Sequence, residues 1–521
     1  MRARNRWGWG FEDAAISTAA ARAAAPGLVG LLGFGDIEPE EPAAPEAAAL
    51  VPPRLHCAPH LRGICTGDDA ARLAHAHGQS YLDTVRGLRG EHPHVPDLVA
   101  RPRDEREIEA VLEWAAAANA AVVPYGGGTS VVGGVEPRAP ERFDGVVTID
   151  VGLLDAVRDV DPVSRAARIG AGASGPRIEA QLAGHGLTLR FFPQSFELST
   201  LGGWIATRAA GHFATHLTHI DDLVESVRAV GPAGHWASRR LPGSGAGPSP
   251  DRLLLGSEGI LGIVTEAWVR VRPRPVYRAG RAVRFDSFLR GAEAVRALAQ
   301  SELEPANCRL IDALEAAQYG AGDGTQALLT LGFESADHPV EPWLDRALAI
   351  CREHGATHED GDGADRALGS WREAFLRMPY LRDVLVRLGI LTDTFESAVT
   401  WERFPAFHAA VTDAVSAALG EPSRVTCRLT HVYPDGAAPY FTVLAPARRG
   451  EEKAQWREMK RAASTAILEA GGTITHHHGV GRDHRPWYDA QRPDAFAAAL
   501  RAAKAALDPG GLLNPGVLLD P

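Results

Sequence analysis

Ala121-Val122-Val123-Pro124-Tyr125-Gly126-Gly127-Gly128-Thr129-Ser130 is the stretch on which the fold is read. Two β-branched residues run through a proline into three glycines and two hydroxyls, and Gly133-Gly134 follow. Three successive glycines carry a large backbone-entropy cost on folding. That cost is tolerated where a backbone lies flush against something and turns its N–H groups toward it, as in the amide nests that hold phosphate. A glycine-rich hairpin satisfies the same triplet, so on these residues alone both readings stand.

Upstream, the spacing predicts a helix over Pro102–Ala120. Asp104 and Glu107 have capping-box spacing, and Ile108, Val111, Leu112 and Ala115 share one apolar face. Downstream, Val146–Asp150 and Ala166–Ile169 read as strands. Gly170-Ala171-Gly172-Ala173-Ser174-Gly175 then satisfies GxGxxG ahead of a helix over Pro176–Gly186. A dinucleotide fold needs a hydrophobic parallel strand before that motif and an acid about 20 residues on. Here the strand carries Arg165 and Arg168, and the acid nearest that position, Glu197, sits in a loop, so the motif reads as a decoy. Two further small-residue loops are Pro193–Gly203, leading into a helix with Trp204, Thr207 and Arg208, and Gly256–Val264, leading into the strand Ala267–Val271. Several such loops point to one extended ligand, because a single phosphate needs only one.

A chain of 521 residues exceeds a single core and suits two or three domains. A net charge of −11 with no dominant basic patch excludes nucleic acid as a main partner. Five scattered cysteines without a CxxC pair read as reduced thiols of a cytoplasmic protein, not as disulfides or a zinc site. The basic start Met1–Trp7 is followed by no apolar core of a secretory signal, and no run reaches the ~18 apolar residues of a membrane span. Leu519-Asp520-Pro521 is no peroxisomal address. A peripheral membrane contact and a homodimer are left open.

Residues 11–52 join an Ala-rich helical stretch (Ala14–Ala25) to an acidic, Pro-rich segment (Gly33–Pro53), read as a partly disordered lead-in and linker. Pro273-Arg274-Pro275 marks a domain boundary. Beyond it, Gln326–Phe333 and Thr392–Glu396 read as strands. Trp343–Glu353 reads as a helix with Trp343, Leu344, Ala347, Leu348 and Cys351 on one face. Val425, Cys427 and Leu429 alternate with Thr426, Arg428 and Thr430, the period of a half-buried strand, and Pro434-Asp435-Gly436 turns it into a hairpin with Tyr440–Leu444. Helices are predicted over Glu451–Gly471 and Pro493–Leu507. The resulting division is a lead-in (1–93), a ligand-binding domain (94–275), an α/β cap (276–470) and a C-terminal segment (471–521) that returns to the first domain.

His476-His477-His478, flanked by Gly479 and Gly481, is the strongest chemical signal. It reads either as a surface loop or as acid–base machinery, since imidazole titrates near neutrality. Neighbouring side chains on an extended segment face opposite ways, so three in a row are poor ligands for one metal ion, and none is expected. Tyr440 reads as core or as a proton donor, and core is the plainer reading of the residue alone. Arg309 suits a pair with Asp312, and Arg382 suits a helix surface. A planar guanidinium is nevertheless the usual partner of a carboxylate or phosphate.

Taken together, Pro124–Ser130, Gln194–Thr200, Thr207–Ala210 and Glu258–Val264 resemble the FAD-contacting segments of the vanillyl-alcohol oxidase / p-cresol methylhydroxylase flavoprotein family. Within it the chain looks like the alkylglycerone-phosphate synthase branch. Arg6–Gly10, Trp204–Ala209, Arg309–Asp312, Tyr380–Asp383, Thr426–Arg428 and His476–Gly481 carry that likeness. The resemblance implies an α+β fold, with a two-subdomain FAD-binding domain of the p-cresol methylhydroxylase type and an α/β cap. It implies non-covalent FAD, in keeping with a loop that has no histidine. Pro124, Tyr125, Gly126, Gly127, Gly128, Thr129, Ser130, Gln194, Ser195, Ser199, Thr200, Thr207, Arg208, Ala209, Ala210, Glu258, Gly259, Ile260, Leu261, Gly262, Ile263 and Val264 would contact it. The implied reaction is a flavin-assisted exchange at C1 of acyl-dihydroxyacetone phosphate, in which a fatty alcohol replaces the acyl group. Tyr440 would move the proton, Arg382 would hold the substrate's charged end, and Arg309, His476, His477 and His478 would complete the site.

The chain departs from the family pattern at Gln194, where an aspartate is usual, at Ala210, where a serine is usual, and in the weakly basic His212–His216. The competing reading is a FAD-dependent 2-hydroxyacid or alcohol dehydrogenase or oxidase. Members of that group commonly bind a divalent metal through a His…Asp-Gly-Asn-x-His hairpin and a Glu-His-Gly turn. Here the hairpin reads His431-Val432-Tyr433-Pro434-Asp435-Gly436-Ala437-Ala438-Pro439-Tyr440 and His477 stands for the glutamate, so both ligand sets are broken.

Overall fold

Ala120–Tyr125 forms the strand that the β-branched run predicts, buried except at Pro124. It lies parallel to Gly145–Asp150, which lies parallel to Leu98–Ala100, with Cys65–Thr66 antiparallel at the far edge. The helix beside it spans Glu105–Ala117 and buries Ile108, Val111, Leu112 and Ala115. Its cap is half of the expected box. The Asp104 carboxylate accepts the Glu107 N–H at 3.0 Å, but the Glu107 carboxylate turns back to the Arg103 N–H at 2.7 Å. The computed structural model describes residues 4–44, 50–213, 215–318, 320–358 and 378–520; part of the acidic, Pro-rich segment, 45–49, lies outside them, as does Ala214.

A second, antiparallel sheet runs in the order Val157–Asp161, Ala166–Gly170, Ile263–Arg270, Val224–Gly231, Gly234–Ala237. The GxGxxG stretch follows an antiparallel strand, which no dinucleotide fold has. Its glycines serve a crossing of chain on chain instead. A Cβ on Gly170 or Gly172 would stand 2.1 or 2.0 Å from the carbonyl oxygens of Leu154 and Val151. Arg168, unexpected in a buried strand, lies 3.3 Å from the Glu266 carboxylate across the pair.

Beyond Pro275 an eight-stranded sheet forms the cap; Ala327–Ser335, Asn307–Ile311, Arg424–Val432 and Gly436–Pro446 run side by side in that order, with Ile390–Glu396 at the end of the path beside Gly436–Pro446. Helices Phe288–Ala299, Glu341–Glu353, Phe404–Leu419 and Glu452–Glu469 join Leu310, Leu329, Cys427, Leu429, Phe441 and Val443 in one apolar core on one face. Two expectations need correcting here. Trp343 is 41% exposed, because the stripe of its helix runs through Leu344, Ala347, Leu348 and Cys351 while Trp343 packs edge-on against His338 at the rim. The strand carrying Val425, Cys427 and Leu429 is not half-buried: Thr426, Arg428 and Thr430 are buried too, since the polar face of the sheet roofs a cleft against the first domain.

The N-terminal segment belongs to this packing. Thr18–Leu32 is helical, and Ala21, Ala25, Leu32 and Phe34 pack on Val384, Leu385, Leu388, Ile390 and Leu444 of the cap. The Trp9 N–H donates to the Asp383 carboxylate at 2.6 Å. At the other end of the chain, Leu513 bridges in parallel to Val122. Val122 N–H donates to Leu512 O and Asn514 N–H to Val122 O, both at 2.8 Å. The C-terminal residues thereby extend the sheet beside the strand that opens into the glycine loop. All five cysteines are free.

Candidate active site

Strand register assembles the chemistry of the cap. Tyr440 lies opposite Glu396 on one neighbouring strand and opposite Arg428 on the other. Paired residues share a face, so a carboxylate, a phenol and a guanidinium stand in one row about 4.8 Å apart. The Tyr440 hydroxyl donates to Thr394 Oγ1 at 2.9 Å, and the Arg428 guanidinium lies 4.0 Å from the centre of the phenol ring. Burial raises the phenol above its ordinary pKa, so Tyr440 is a neutral donor near pH 7. Arg428 is anchored by a fully buried ion pair with Glu315. Arg309, on the next strand, is buried. Burial and the neighbouring Arg428 lower its pKa to about 9. It does not pair with Asp312 as the sequence suggested: that carboxylate accepts the N–H groups of Glu315 and Cys427.

The histidine triplet meets this row edge to edge. His477 and His478 line the cleft, with ring centroids 6.1 and 5.5 Å from that of Tyr440. His476 does not line it. Neighbouring side chains on an extended segment diverge, and its Nε2 lies 2.7 Å from Tyr433 Oη and 2.9 Å from His219 Nε2. Burial brings His477 down to about 3 and holds His476 well below its usual range, so both rings are neutral at pH 7. His431, from the hairpin, donates to Gly211 O at 2.7 Å. His431, His476 and His477 each bring one ring nitrogen within 4.8 Å of the others. One ion could bridge that spacing, and the three-in-a-row argument did not show it because one of the three comes from the hairpin.

The opposite wall is made of the small-residue loops. Gly126, Gly127, Gly128, Thr129, Ser130, Gln194, Ser195, Ser199, Thr200, Thr207, Ala209 and Ala210 all line the cleft, which encloses about 2070 Å³ including space open to solvent. The loops touch one another directly: a Cβ on Gly126 would lie 2.4 Å from Thr200 Oγ1, and one on Gly127 2.2 Å from Leu198 O. That contact leaves backbone and hydroxyl groups as the wall, the donor set suited to the phosphates and polar ring of a flavin dinucleotide. The residues fit the group.

Other expected contacts stand outside the cleft. Tyr125 is buried with its hydroxyl on Ala74 O, and Pro124 packs beside Gly259. Arg208 turns outward to Asp221. Ile260, Leu261, Ile263 and Val264 enter the core of the first domain, and Gly262 lies against its sheet. Glu258 turns to the histidine loop, accepting the N–H groups of Val480 and Gly481.

Part of the lining is apolar: Leu28, Leu31 and Leu32 of the N-terminal helix line the cleft together with Leu381, Leu385 and Leu444. Arg382 is no surface charge. It lines the cleft, donates to Gln79 O, and keeps its Nε buried without a hydrogen-bond partner among the described residues, a donor open to an anion. Beside it Asp383, lifted to about 6 by burial, holds the Trp9 N–H. Sequence reasoning missed Gln79, Glu396 and Thr394, and it named Arg428, His431 and Trp9 without giving them a place in the site. The alternation of Thr426, Arg428 and Thr430 was the signal for Arg428, misassigned to solvent.

Comparison with known proteins agrees with this construction. Residues 96–238 match the family described as "FAD binding domain" and 274–518 the one described as "FAD linked oxidases, C-terminal domain". The alkyldihydroxyacetonephosphate synthase of Dictyostelium discoideum is 30% identical over 485 residues, 87% of this chain and 78% of that protein. A solved alkyldihydroxyacetonephosphate synthase structure superposes with a TM-score of 0.82 at 24% identity, covering 98% of this chain and 97% of its own. Substrate-bound p-cresol methylhydroxylase shares the fold at a TM-score of 0.68 and 12% identity, over 88% of this chain and 94% of its own. The chain is a FAD-linked flavoprotein and belongs to the alkyldihydroxyacetonephosphate synthase family.

Proposed function

We propose that this protein exchanges the acyl group of acyl-dihydroxyacetone phosphate for a fatty alcohol, making the ether-linked product and a free fatty acid. One observation carries the reading: a single cleft is lined by the guanidinium side chains of Arg309, Arg382 and Arg428, by the apolar Leu28, Leu31 and Leu385, and by Tyr440 and His477. A substrate with a phosphate head and a long tail matches that mixed lining, whereas a small hydroxyacid would leave the leucines unused.

FAD, held by Gly126–Ser130, Ser195, Ser199, Thr200 and Thr207, supplies when bound a ring that can take up and return an electron pair. The protein's own groups do the rest. Arg382, with its unpartnered Nε, and Arg309 are suited to hold the phosphate, and guanidinium–phosphate pairs fix orientation as well as charge. Breaking the bond from C1 to the ester oxygen releases a carboxylate with its electron pair. Forming the bond from C1 to the alcohol oxygen releases the alcohol proton. A base is therefore needed, and a neutral imidazole at His477 can accept that proton. The C1 proton passes to the neutral His478 imidazole, and neutral Tyr440 gives a proton back to C1, leaving a phenolate that the Arg428 guanidinium would stabilise until the imidazolium reprotonates it. Neither His476 nor Thr394 touches the substrate in this scheme; they set the orientation of His477 and of the phenol.

The test is direct. Purified holoenzyme is mixed with acyl-dihydroxyacetone phosphate, and its flavin absorbance should fall and then recover when hexadecanol is added, with one ether product per fatty acid released. Reduction of a dye by lactate, without ether product, would replace this reading with the hydroxyacid one.

A further inference from the structure

The histidine loop carries an unusual pattern of acceptors. Glu396, only 1% exposed, accepts the N–H groups of His476 at 2.5 Å, His477 at 3.2 Å and His478 at 2.9 Å, together with the Thr475 hydroxyl at 2.6 Å. Glu258, 7% exposed, accepts those of Val480 at 2.7 Å and Gly481 at 2.9 Å. Five of the six amides from His476 to Gly481 thus end on two carboxylates. Glu396 belongs to the cap sheet and Glu258 to the FAD-binding domain, where the Asn514 amide donates to its carbonyl at 2.8 Å. A buried carboxylate is costly unless donors surround it, and charge-assisted N–H bonds are the stronger kind. Gly481 completes the fit, since a Cβ there would stand 2.1 Å from Val132 O.

We propose that Glu396 and Glu258 are positioning residues that clamp the histidine loop between the two domains, so that the His477 and His478 rings face Tyr440 across the cleft. Glu396 is the principal arm, because it takes every backbone donor of the triplet and its oxygens lie 3.7 Å from Nδ1 of both His477 and His478. The catalytic part of this inference rests on the exchange reaction above; the clamp itself does not.

The test uses the holoenzyme and the variants Glu396→Ala, Glu396→Gln and Glu258→Gln, with two readouts. Amide hydrogen exchange of residues 473–482 is followed by mass spectrometry beside that of the cap helix Phe404–Leu419. In Glu396→Ala the loop should exchange at least about tenfold faster while the helix is unchanged, because the loop's donors lose their acceptor. For acyl–alcohol exchange, kcat should fall roughly 100-fold with KM within about threefold, the sign of a group needed for orientation in the transition state and not for substrate binding. The isosteric Glu396→Gln keeps an acceptor oxygen and should recover part of both effects. Unchanged loop protection in Glu396→Ala overturns the clamp, and so does a loosened loop with undiminished kcat. If Glu396→Ala does not fold, Glu396→Gln and Glu258→Gln carry the same comparison. Absence of exchange activity in the wild type would sink the proposed reaction alone, and the protection data would still decide the clamp.

Discussion

Replacing Tyr440 by phenylalanine isolates one oxygen atom. The ring keeps its 4.0 Å contact with Arg428 and its place beside His477, so no cavity opens. What is lost is the 2.9 Å hydrogen bond to Thr394, whose half-buried hydroxyl can turn elsewhere, and the stability cost should be about 1 kcal/mol. The kinetic cost should be far larger. General acid–base groups contribute about 10²–10⁴-fold, so the barrier should rise by roughly 3–5 kcal/mol. The assay is incorporation of labelled hexadecanol at saturating acyl-dihydroxyacetone phosphate, on preparations matched for bound flavin. The expected result is a Tyr440→Phe enzyme that is yellow, folded and at least about 100-fold slower. Thr394→Val, which leaves the phenol in place but unoriented, should lose only about tenfold. A Tyr440→Phe enzyme with kcat within about threefold of wild type would refute the assignment of the proton to Tyr440 and leave the imidazoles to carry it.

Gly127→Ala should purify largely free of flavin, because its new Cβ would meet Leu198 O at 2.2 Å and push the glycine loop off its neighbour; the flavin-to-protein absorbance ratio reads this, and a fully loaded variant contradicts it. Acid should weaken the fold through His477. Its folded pKa of about 3 lies below the ordinary ~6.5, so its contribution is whole above that value and fades as pH falls toward 3. Buried acids such as Asp312, raised to about 7, act with the opposite sign, so the informative quantity is a difference between proteins. Between pH 7 and pH 5, His477→Gln should lose roughly 2 kcal/mol less stability than wild type in urea unfolding. Parallel losses in the two proteins would show that His477 takes up its proton in the folded state.

The glycine loop, the Pro-Asp-Gly turn and the paired strands around it were legible because each is punctuated by residues with few conformations. Arg428 was harder. Alternation says that Arg428 and Cys427 face opposite ways, but it does not say which face meets water, and here neither does. The N-terminal helix was read as a helix in a lead-in, but its docking on the cap escaped for a different reason: Ala21 and Ala25 bury too little surface to mark a stripe among the alanines around them. His476 and Glu258 show the limit of segment resemblance. Both lie in the expected segments, yet a segment does not say which way a side chain turns, and both turn from the cleft toward the loop's supports.

The row of Glu396, Tyr440 and Arg428 couples the chemistry to the frame of the hairpin. A slip of one position in Gly436–Pro446 would send Phe441 into the cleft and the phenol among the helices. Such a mispaired chain could still be compact and soluble, so changes near Asp435 can yield protein that is abundant and inert. Insertions at that turn are best judged by turnover and not by expression.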